Sequence, residues 1–510
     1  MKKIFVIIFC IICIVSVGCK KIFLEQQDPN AIPTKDFFQT ETDVLLALNG
    51  TYEALRSGSG VGEGSTLYNE ERSDNAGRND NQSNAGEPFQ FNDFSLLASN
   101  TYIKTHWFNL YSIITRANFI IDGAEKVSYA NAATKNNYLA EARFIRAFIY
   151  FNLAMKWGDV PLVLSPITNV SQANEQNSRV NKKIVYDSIV ADLKFGAENS
   201  SLPNIRATAD KGRVGKAAIN GLLGKVYLTM ATTLDAANRN TNLAQAKKYL
   251  DDCYAMRDFG NLSEIPYADV FDVEKKLTNK ETLFQIQYKQ GDPNFSSSIA
   301  ANYQARGETI NSQRAGTGAG GVTKLDLIND FETGDIRKNF SVKFATNATV
   351  NDWFVTKFRD VSAAAGTNGW GGNDWIILRY ADVILLLAEV NNYLGNTDVA
   401  IGYLNQVRTR AGLPDYNTAK ANPAYAAKYP TLKLAILHER RAELAFENQR
   451  LFDLLRTFTP QEFVDYFKAK NQADYGLAKI SNIGTKDYYY PIPFDEHKLN
   501  PEKMYQNPGY

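Results

Sequence analysis

The segments RYADVILLLAEV at 379–390 and LNQVRTRAGLP at 404–414 decide the fold class of this chain. In and around the first segment, small and aliphatic residues recur with the period of one face of an α-helix. These residues are Ile377, Ala381, Ile384 and Ala388. The pattern predicts a helix with one apolar face, which must pack against another element.

This helix and the next one carry stop signals at their ends. We predict one helix over 376–394, ending at Gly395, and a second over 397–411, ending before Gly412-Leu413-Pro414, because glycine and proline terminate helices. Two helices joined by so short a turn are typical of tetratricopeptide-like pairs, in which small residues let neighbouring helices pack closely. The strict consensus of that repeat is absent, so we expect degenerate repeats.

Helical periodicity dominates most of the remaining chain. Further helices are predicted near 41–56, 101–127, 138–153, 181–198, 213–232, 243–257 and 431–456. Long polar stretches rich in Gly and Asn separate the helical blocks, at 57–100, 291–321 and 345–375. We therefore predict a mainly α protein with long irregular loops. Loops of this length are usually functional or disordered.

The composition excludes several classes of protein. The chain has 510 residues, 44% hydrophobic and 22% charged, which excludes a disordered or fibrous chain. Lys and Arg number 56 against 55 Asp and Glu, so there is no basic field for nucleic acid and we predict no such partner. Four Cys and three His are too few for a zinc framework. We predict no metal and no cofactor.

The first residues predict the compartment. Lys2 and Lys3 precede an apolar run over 4–15, which is too short to span a bilayer. The run ends at Ser16-Val17-Gly18-Cys19, and a small residue before a Cys at this point is typical of a bacterial lipoprotein signal. We predict a signal peptide over 1–18, lipidation of Cys19 and a lipidated tether over 19–40. The alternative is an ordinary secretory signal in which Cys19 is incidental.

The segment ERRAELAFENQRLFDLLR at 439–456 holds the densest group of carboxylates. Glu443 and Glu447 are four residues apart, so on one helix they would share a face and could form the acid–base pair of a glycoside hydrolase. Neighbouring arginines favour ion pairs instead. A carboxylate beside Arg has a lowered pKa, which is the wrong direction for a general acid. We therefore expect these residues to be structural.

The long loops contain the residue types that bind sugars. Aromatic rings pack on the apolar faces of a sugar, while Asn, Asp, Arg and Gln bind its hydroxyl groups. The same residue types also cap turns and fill the edges of a core, so this signal alone is weak. Two other loop patterns are weaker still. The run GTGAGG at 316–321 is similar to a phosphate-binding loop, but no hydrophobic strand precedes it and no Lys-Ser/Thr follows, so we predict a flexible loop. Asn79-Asp80-Asn81 is similar to the start of a calcium loop, but Gly at the sixth position and Glu at the twelfth are lacking.

Several ordered motifs resemble one known family. They are EARFIRAFIYFNLAMKWGDVPLV at 141–163, RVGKAAINGLLGKVYLTMA at 213–231, the two segments quoted first, ERRAELAFENQRLFDLLR, YYYPIP at 488–493 and QNPGY at 506–510. Together they resemble the SusD/RagB-like nutrient-binding lipoproteins of the Bacteroidetes outer membrane. The resemblance runs from the signal to the last residue. It implies a single helical domain over 41–510, with tetratricopeptide-like pairs as scaffold and irregular loops as the ligand face.

The resemblance also implies a function. It implies a protein without enzyme activity, lipid-anchored in the outer membrane and facing the cell exterior, that captures an oligosaccharide or other nutrient for a SusC-like TonB-dependent transporter. The nature of the nutrient stays open. Ligand contacts are carried over onto Ser73-Asp74-Asn75 and its neighbours, and aromatic partners are chosen by type and loop. The predicted ligand residues are Arg72, Asp74, Asn75, Phe89, Phe91, Tyr303 and Trp370.

Two other functions remain as alternatives. One is a surface glycoside hydrolase that uses Glu443 and Glu447. The other is a tetratricopeptide-type adaptor that binds only protein and needs no aromatic ligand site.

Overall fold

The computed structural model describes residues 37–77, 86–234, 236–314, 322–345, 351–366, 368–475 and 477–510. The predicted signal peptide, most of the tether, Asn79-Asp80-Asn81 and the Gly-rich run at 316–321 lie outside the described residues. What the sequence indicates for those segments stays a prediction.

Helices make up most of the described chain, so the predicted mainly α class is confirmed. The α-helices are α1 (Glu41–Ala54), α2 (Phe89–Asn92), α3 (Thr101–Ala124), α4 (Ala132–Trp157), α5 (Val170–Gln176), α6 (Lys182–Asn199), α7 (Lys216–Thr233), α8 (Arg239–Ala255), α9 (Ile299–Tyr303), α10 (Leu325–Ile328), α11 (Ile336–Ser341), α12 (Ala363–Gly366), α13 (Tyr380–Tyr393), α14 (Thr397–Arg410), α15 (Tyr416–Ala421), α16 (Pro423–Lys428), α17 (Leu432–Glu443), α18 (Arg450–Thr457), α19 (Pro460–Lys468), α20 (Gln472–Tyr475), α21 (Leu477–Asn482) and α22 (Phe494–Leu499). Within these residues, no helix is both long and apolar enough to cross a bilayer.

Short strands join the loops to one another. They are β1 (Ala76–Gly77), β2 (Val160–Pro161), β3 (Arg179–Val180), β4 (Thr282–Ile286), β5 (Val322–Thr323), β6 (Val342–Phe344), β7 (Trp353–Val355) and β8 (Trp375–Arg379). A sheet in the order β1-β5-β7-β6 connects three loop regions, and β2 pairs with β3. The antiparallel ribbon of β4 and β8 aligns Thr282 with Arg379 and Ile286 with Trp375.

Consecutive helices pack as pairs. α3 packs on α4, α7 on α8, and α13 on α14. Glycine allows the close approach of α7 and α8, because a Cβ on Gly224 would lie 2.5 Å from Cγ of Leu250. On the same helix, a Cβ on Gly221 would lie 3.3 Å from Sγ of Cys253. Small residues thus set the distance between helices, as expected for tetratricopeptide-like pairs.

The predicted helix over 431–456 is wrong in its middle. The structure has two helices, α17 and α18, and the backbone between them takes positive φ angles of 68° at Phe446 and 60° at Asn448. Tertiary bonds hold this break, because Asn448 donates its N–H to Glu70 (2.7 Å) and its side-chain amide to Ser65 (2.8 Å). Glu443 ends a helix and Glu447 lies in the break. The two carboxylates therefore do not share a helical face.

The start of the predicted helix over 376–394 is also corrected. Residues Trp375–Arg379 form strand β8, and the helix begins at Tyr380. The side chains of Ile376 and Leu378 fit a buried ribbon because they face the core there. Ile377 in the strand has the same spacing as the apolar residues of α13, so helical periodicity alone predicted one helix across both elements.

A buried charge cluster connects the ribbon to α17 and the break after it. We define it as Glu281, Arg337, Lys357, Arg379, Arg410, Glu443 and Glu447, all of which are buried. Glu443 accepts hydrogen bonds from Arg379 (2.6 Å), Arg410 (2.5 Å) and Arg337 (3.1 Å). Glu447 accepts from Lys357 and Arg379. The cations around Glu443 hold its pKa well below the ordinary value, although burial opposes this.

Substituting Glu443 tests the structural role of this cluster. Glu443→Gln removes the charge that compensates three guanidinium groups, so we expect the free energy of unfolding to fall by about 3–5 kcal/mol. Chemical denaturation followed by circular dichroism measures the change. Glu502→Gln is the control, because Glu502 is exposed and should change stability by less than about 0.5 kcal/mol. Equal stability of the two variants would contradict the role assigned to Glu443.

Candidate functional site

The predicted ligand residues at Ser73-Asp74-Asn75 lie in the interior. Arg72, Asp74 and Asn75 are fully buried. Arg72 donates to Asp487 (2.9 Å) and lies over the ring of Phe94. The side chains at these positions are therefore bonded within the core, and their ligand role stays a prediction.

The arginine partners of Asp74 and Asn75 come from a distant part of the chain. Asp74 accepts two hydrogen bonds from Arg450, at 2.7 and 3.0 Å, and its pKa is held well below the ordinary value by Arg441 and Arg450 against the effect of burial. Asn75 accepts from Arg441 (3.0 Å) and donates to Glu70 (3.1 Å). These bonds fix the loop after α1 to the helices α17 and α18.

The predicted aromatic residues fall into two groups. Phe91 is fully buried and packs edge-to-face on Tyr68 and Tyr490, with ring centroids 5.4 and 5.8 Å away. It therefore packs in the core, and its ligand contact stays a prediction. Phe89, Tyr303 and Trp370 are half-buried. Their side chains remain candidates by exposure.

Tyr303 and Trp370 lie on two loops that are bonded to each other. We call these loops the loop platform, which comprises residues 289–314, 359–366 and 368–373. The N–H of Gly291 donates to the carbonyl of Trp370 (2.9 Å), and Ser297 and Gly371 exchange two backbone bonds of 2.8 Å. Farther along, Arg314 donates to the carbonyl of Asn368 (2.6 Å). The structure thus brings two of the predicted residues onto one surface element.

One edge of the loop platform borders an open groove. The groove has a volume of about 930 Å³ and lies between the C-terminal end of α1, residues 209–213 and the chain that follows β4. A smaller open pocket of about 470 Å³ continues it and shares Glu53, Arg56 and Tyr288 with it. Both aromatic and polar side chains line the groove. They include Asn49, Tyr52, Glu53, Arg56, Asp210, Arg213, Glu274, Gln287, Tyr288, Lys289 and Phe295.

Phe295 supplies the exposed flat surface of this groove. Its side chain is 44% exposed, whereas Tyr288 is buried and forms part of the wall. The guanidinium of Arg56 lies 4.3 Å from the centroid of the Phe295 ring and donates to Glu53 (2.9 Å). A cation on an aromatic face stabilises the position of the ring. Phe295 is therefore held as an oriented platform at the groove.

Glu63 fixes the loop that carries Phe295. Its carboxylate accepts hydrogen bonds from the hydroxyl of Ser297, and from the N–H (2.8 Å) and hydroxyl (3.0 Å) of Ser298. Burial raises the pKa of Glu63 although these hydrogen bonds oppose the shift. The backbone N–H of Glu63 also donates to the hydroxyl of Tyr288 (3.3 Å). Glu63 thus connects the segment after α1 to Tyr288 and to the loop that carries Phe295.

This arrangement is suited to binding a polar molecule that has flat apolar faces. It offers an aromatic ring beside amide and carboxylate groups, which is the pairing that carbohydrates require. Among the residues that the structure describes, no group of His, Cys, Asp and Glu could hold a metal ion. Glu443 and Glu447 lie in the buried charge cluster, so they offer no exposed acid–base pair.

Sequence reasoning missed most of the groove. Arg56 and Tyr288 are not among the predicted site residues. Phe295 lies in the same polar loop as Tyr303, and the prediction names Tyr303 instead. Arg56 and Phe295 are far apart in the sequence, so no local spacing joins them. The usable signal was an aromatic residue in the polar run DPNFSSS after a strand, because such a ring has no apolar neighbours in sequence to pack with.

Comparison with known proteins identifies the family. A model of the SusD family matches residues 210–510, which is more than half of the chain. The chain belongs to the SusD family. A second family model, described as starch-binding and associating with the outer membrane, matches residues 22–228. The resemblance predicted from the helical motifs is confirmed.

Relatives within the SusD family cover the whole chain. SusD-like protein P2 of Formosa agariphila is 28% identical over 537 aligned positions, covering 100% of both chains. The structure of a laminarin-binding SusD-like protein is 24% identical, covers 93% of this chain and 100% of its own, and has a TM-score of 0.74. NanU of B. fragilis is 22% identical, with 95% and 100% coverage and a TM-score of 0.74. These structures share the SusD fold with this chain.

Removal of the Glu63 carboxylate tests how the groove wall is held. In Glu63→Ala, the hydroxyl of Ser297 and the N–H of Ser298 lose their acceptor, so we expect faster amide hydrogen exchange in residues 294–299. Exchange measured by mass spectrometry should rise there by about fivefold or more, since one lost hydrogen bond is worth about 1 kcal/mol. Glu502→Ala is the control and should leave this segment unchanged. Unaltered exchange in Glu63→Ala would show that the loop is held by other contacts.

Proposed function

We propose that this SusD-family protein binds an oligosaccharide at the cell surface without cleaving it. The observation that carries the proposal is the open groove with the oriented ring of Phe295 at its edge. The description of the matching family model names starch binding and the outer membrane. A laminarin-binding protein has the same fold. The groove volume is adequate for several sugar units, because small-molecule sites span about 300–1,000 Å³.

The burial of the two predicted acid–base candidates supports holding rather than hydrolysis. A glycosidase needs two carboxyl groups about 5–9 Å apart that flank the substrate. In the described part of the chain, the candidates Glu443 and Glu447 are occupied by Arg379 and other cations. Glu443 also has a lowered pKa, so it would not act as a general acid near neutral pH.

Calorimetry on a panel of oligosaccharides tests the binding role. Phe295→Ala should weaken binding of any ligand found about tenfold, equal to ~1.4 kcal/mol, because the stacking surface is lost. Phe344→Ala is the matched control, since Phe344 is another exposed ring, 41% exposed, and packs beside Trp353 in β6 and β7. Chromatography of the incubated sugars should show no shorter products. Product release, or the absence of binding to every sugar, would refute the proposal. Equal binding by both variants would show that the ligand binds away from Phe295.

The same proposal includes a lipid anchor and a transporter. Cleavage before Cys19 and acylation of its thiol would hold the protein on the outer membrane, because each buried methylene contributes about 0.8 kcal/mol. Held there and facing the cell exterior, the protein would pass its ligand to a SusC-like TonB-dependent transporter. The support is the signal ending at Ser16-Val17-Gly18-Cys19 together with membership of the SusD family.

Substitution of Cys19 tests the anchor, and co-purification tests the partner. Cys19→Ser should move the protein from the outer-membrane fraction to a soluble fraction, whereas Cys10→Ser, within the predicted signal, should leave it in the membrane. Detergent extraction of the unsubstituted protein should co-purify a large barrel protein. Membrane retention of Cys19→Ser would count against lipidation, and a pull-down without a barrel protein would count against the transporter.

A further inference from the structure

The basic side chains of the groove are already neutralised. Arg56 forms a salt bridge with Glu53 (2.9 Å), and Arg213 forms one with Glu141 (3.0 Å). Glu141 lies behind the groove and also binds Arg206 (2.9 Å). These guanidinium groups are paired with carboxylates of the protein, so a ligand anion would have to compete with those carboxylates for them.

The two lysines at the other side of the groove are paired in the same way. Lys276 bonds Asp374 (2.9 Å) and two backbone carbonyls, of Tyr288 and Gly372. Lys289 bonds Asp292 (3.1 Å), and because 73% of its side chain is exposed, this is a weaker pair than that of Lys276. A ligand carboxylate or sulfate would have to compete with an existing partner at each of these positions.

Lys211 is the exception, and its surroundings disfavour an anion. Its ammonium is buried and donates to the carbonyls of Asn279 (2.8 Å) and Thr282 (3.4 Å). Burial lowers the pKa of Lys211. The ammonium is thus directed into the protein and held by two fixed dipoles.

The carboxylates of the groove, in contrast, face the open space. Asp210 and Glu274 are exposed and form no salt bridge with the residues that the structure describes. Glu53, although bonded to Arg56, has a side chain that is 57% exposed. The amide groups of Gln287 and Asn294 are exposed beside them. The groups that remain available to a ligand are therefore acidic or neutral.

We infer that the groove selects oligosaccharides that carry no acidic group, and that it rejects uronate or sulfate-ester forms of the same backbone. This inference rests on the proposed function, in which the groove holds an oligosaccharide. Sugar hydroxyls can donate charge-assisted hydrogen bonds to the free carboxylates. They can also form neutral hydrogen bonds with the amide groups. An acidic ligand would meet like charge, while Lys211, the groove cation without a carboxylate partner among the described residues, is buried and directed into the protein. Juxtaposed like charges are a recognised means of excluding a ligand.

The test compares matched neutral and acidic sugars. The probes are hexasaccharides of β-1,3-glucan, α-1,4-glucan, β-1,4-mannan and β-1,4-galactan, each beside its C6-oxidised form in which a carboxylate replaces the primary alcohol. For every neutral probe that binds by calorimetry, we expect the oxidised form to bind at least about tenfold more weakly at low ionic strength. The difference should shrink as salt is added, because salt screens exposed charges.

Removing the free carboxylates identifies the cause of the discrimination. In Asp210→Asn/Glu274→Gln, the ratio between neutral and oxidised affinities should fall to about twofold, because most of the repulsion is gone. Glu502→Gln removes an exposed carboxylate that is not part of the groove and should leave the ratio unchanged.

Each other outcome has a defined meaning. Equal or tighter binding of an oxidised probe would overturn the inference, as would a ratio that the double substitution does not alter. Loss of acidic-probe binding in Lys211→Met would also overturn it, because Lys211 would then supply an anion site. If neutral probes bind and Phe295→Ala binds as well as the unsubstituted protein, the groove is not the site and the inference fails while glycan binding stands. If no probe of either kind binds, the proposed function and the inference fail together.

Discussion

The guanidinium of Arg379 is the interaction on which the rest of the fold depends. Arg379 is the last residue of strand β8 and immediately precedes helix α13. Its guanidinium bonds Glu281 (2.7 Å), Glu443 (2.6 Å) and both carboxylate oxygens of Glu447 (2.7 Å each). Its charge is therefore shared among the residue just before strand β4, the end of a helix and the break after that helix. A planar group with five donors is able to do this, whereas the single ammonium of a lysine is not.

The ribbon of β4 and β8 determines where the groove lies. Strand β4 pairs with β8 and ends at Ile286, and the chain continues directly into Gln287 and Tyr288 in the groove wall. Glu63 then fixes the loop beyond, through Ser297 and Ser298. An exposed binding surface made of irregular chain is thus built outward from the most strongly bonded part of the core. Sites supported on rigid elements are held in place more accurately than sites on free loops.

The helices were predictable from sequence because their apolar residues recur with a fixed period and Gly or Asn stands at many of their ends. The break between α17 and α18 was not predictable, since Phe446 and Asn448 continue a helical pattern and the bonds that stop it come from Ser65 and Glu70. Tertiary contacts override local propensity in such places.

The site was less accessible to sequence reasoning than the fold. Arg72, Asp74 and Asn75 are the residue types that bind sugars, yet the same types form buried ion pairs, and only the position of Arg441 and Arg450 decides between the two. The pairing of Arg56 with Phe295 arises from the meeting of α1 and the loop platform. It is a property of the packing, which a single sequence does not encode in any local spacing.

The residues that line the groove are separate from the buried charge cluster, and this separation affects how the sequence can change. Phe295, Gln287, Asn294 and Glu274 take no part in the buried charge cluster that unites the helices and the ribbon. Mutation can therefore change what the groove accepts while the scaffold keeps its stability. In evolutionary terms, such a division lets ligand preference drift among descendants at little thermodynamic risk.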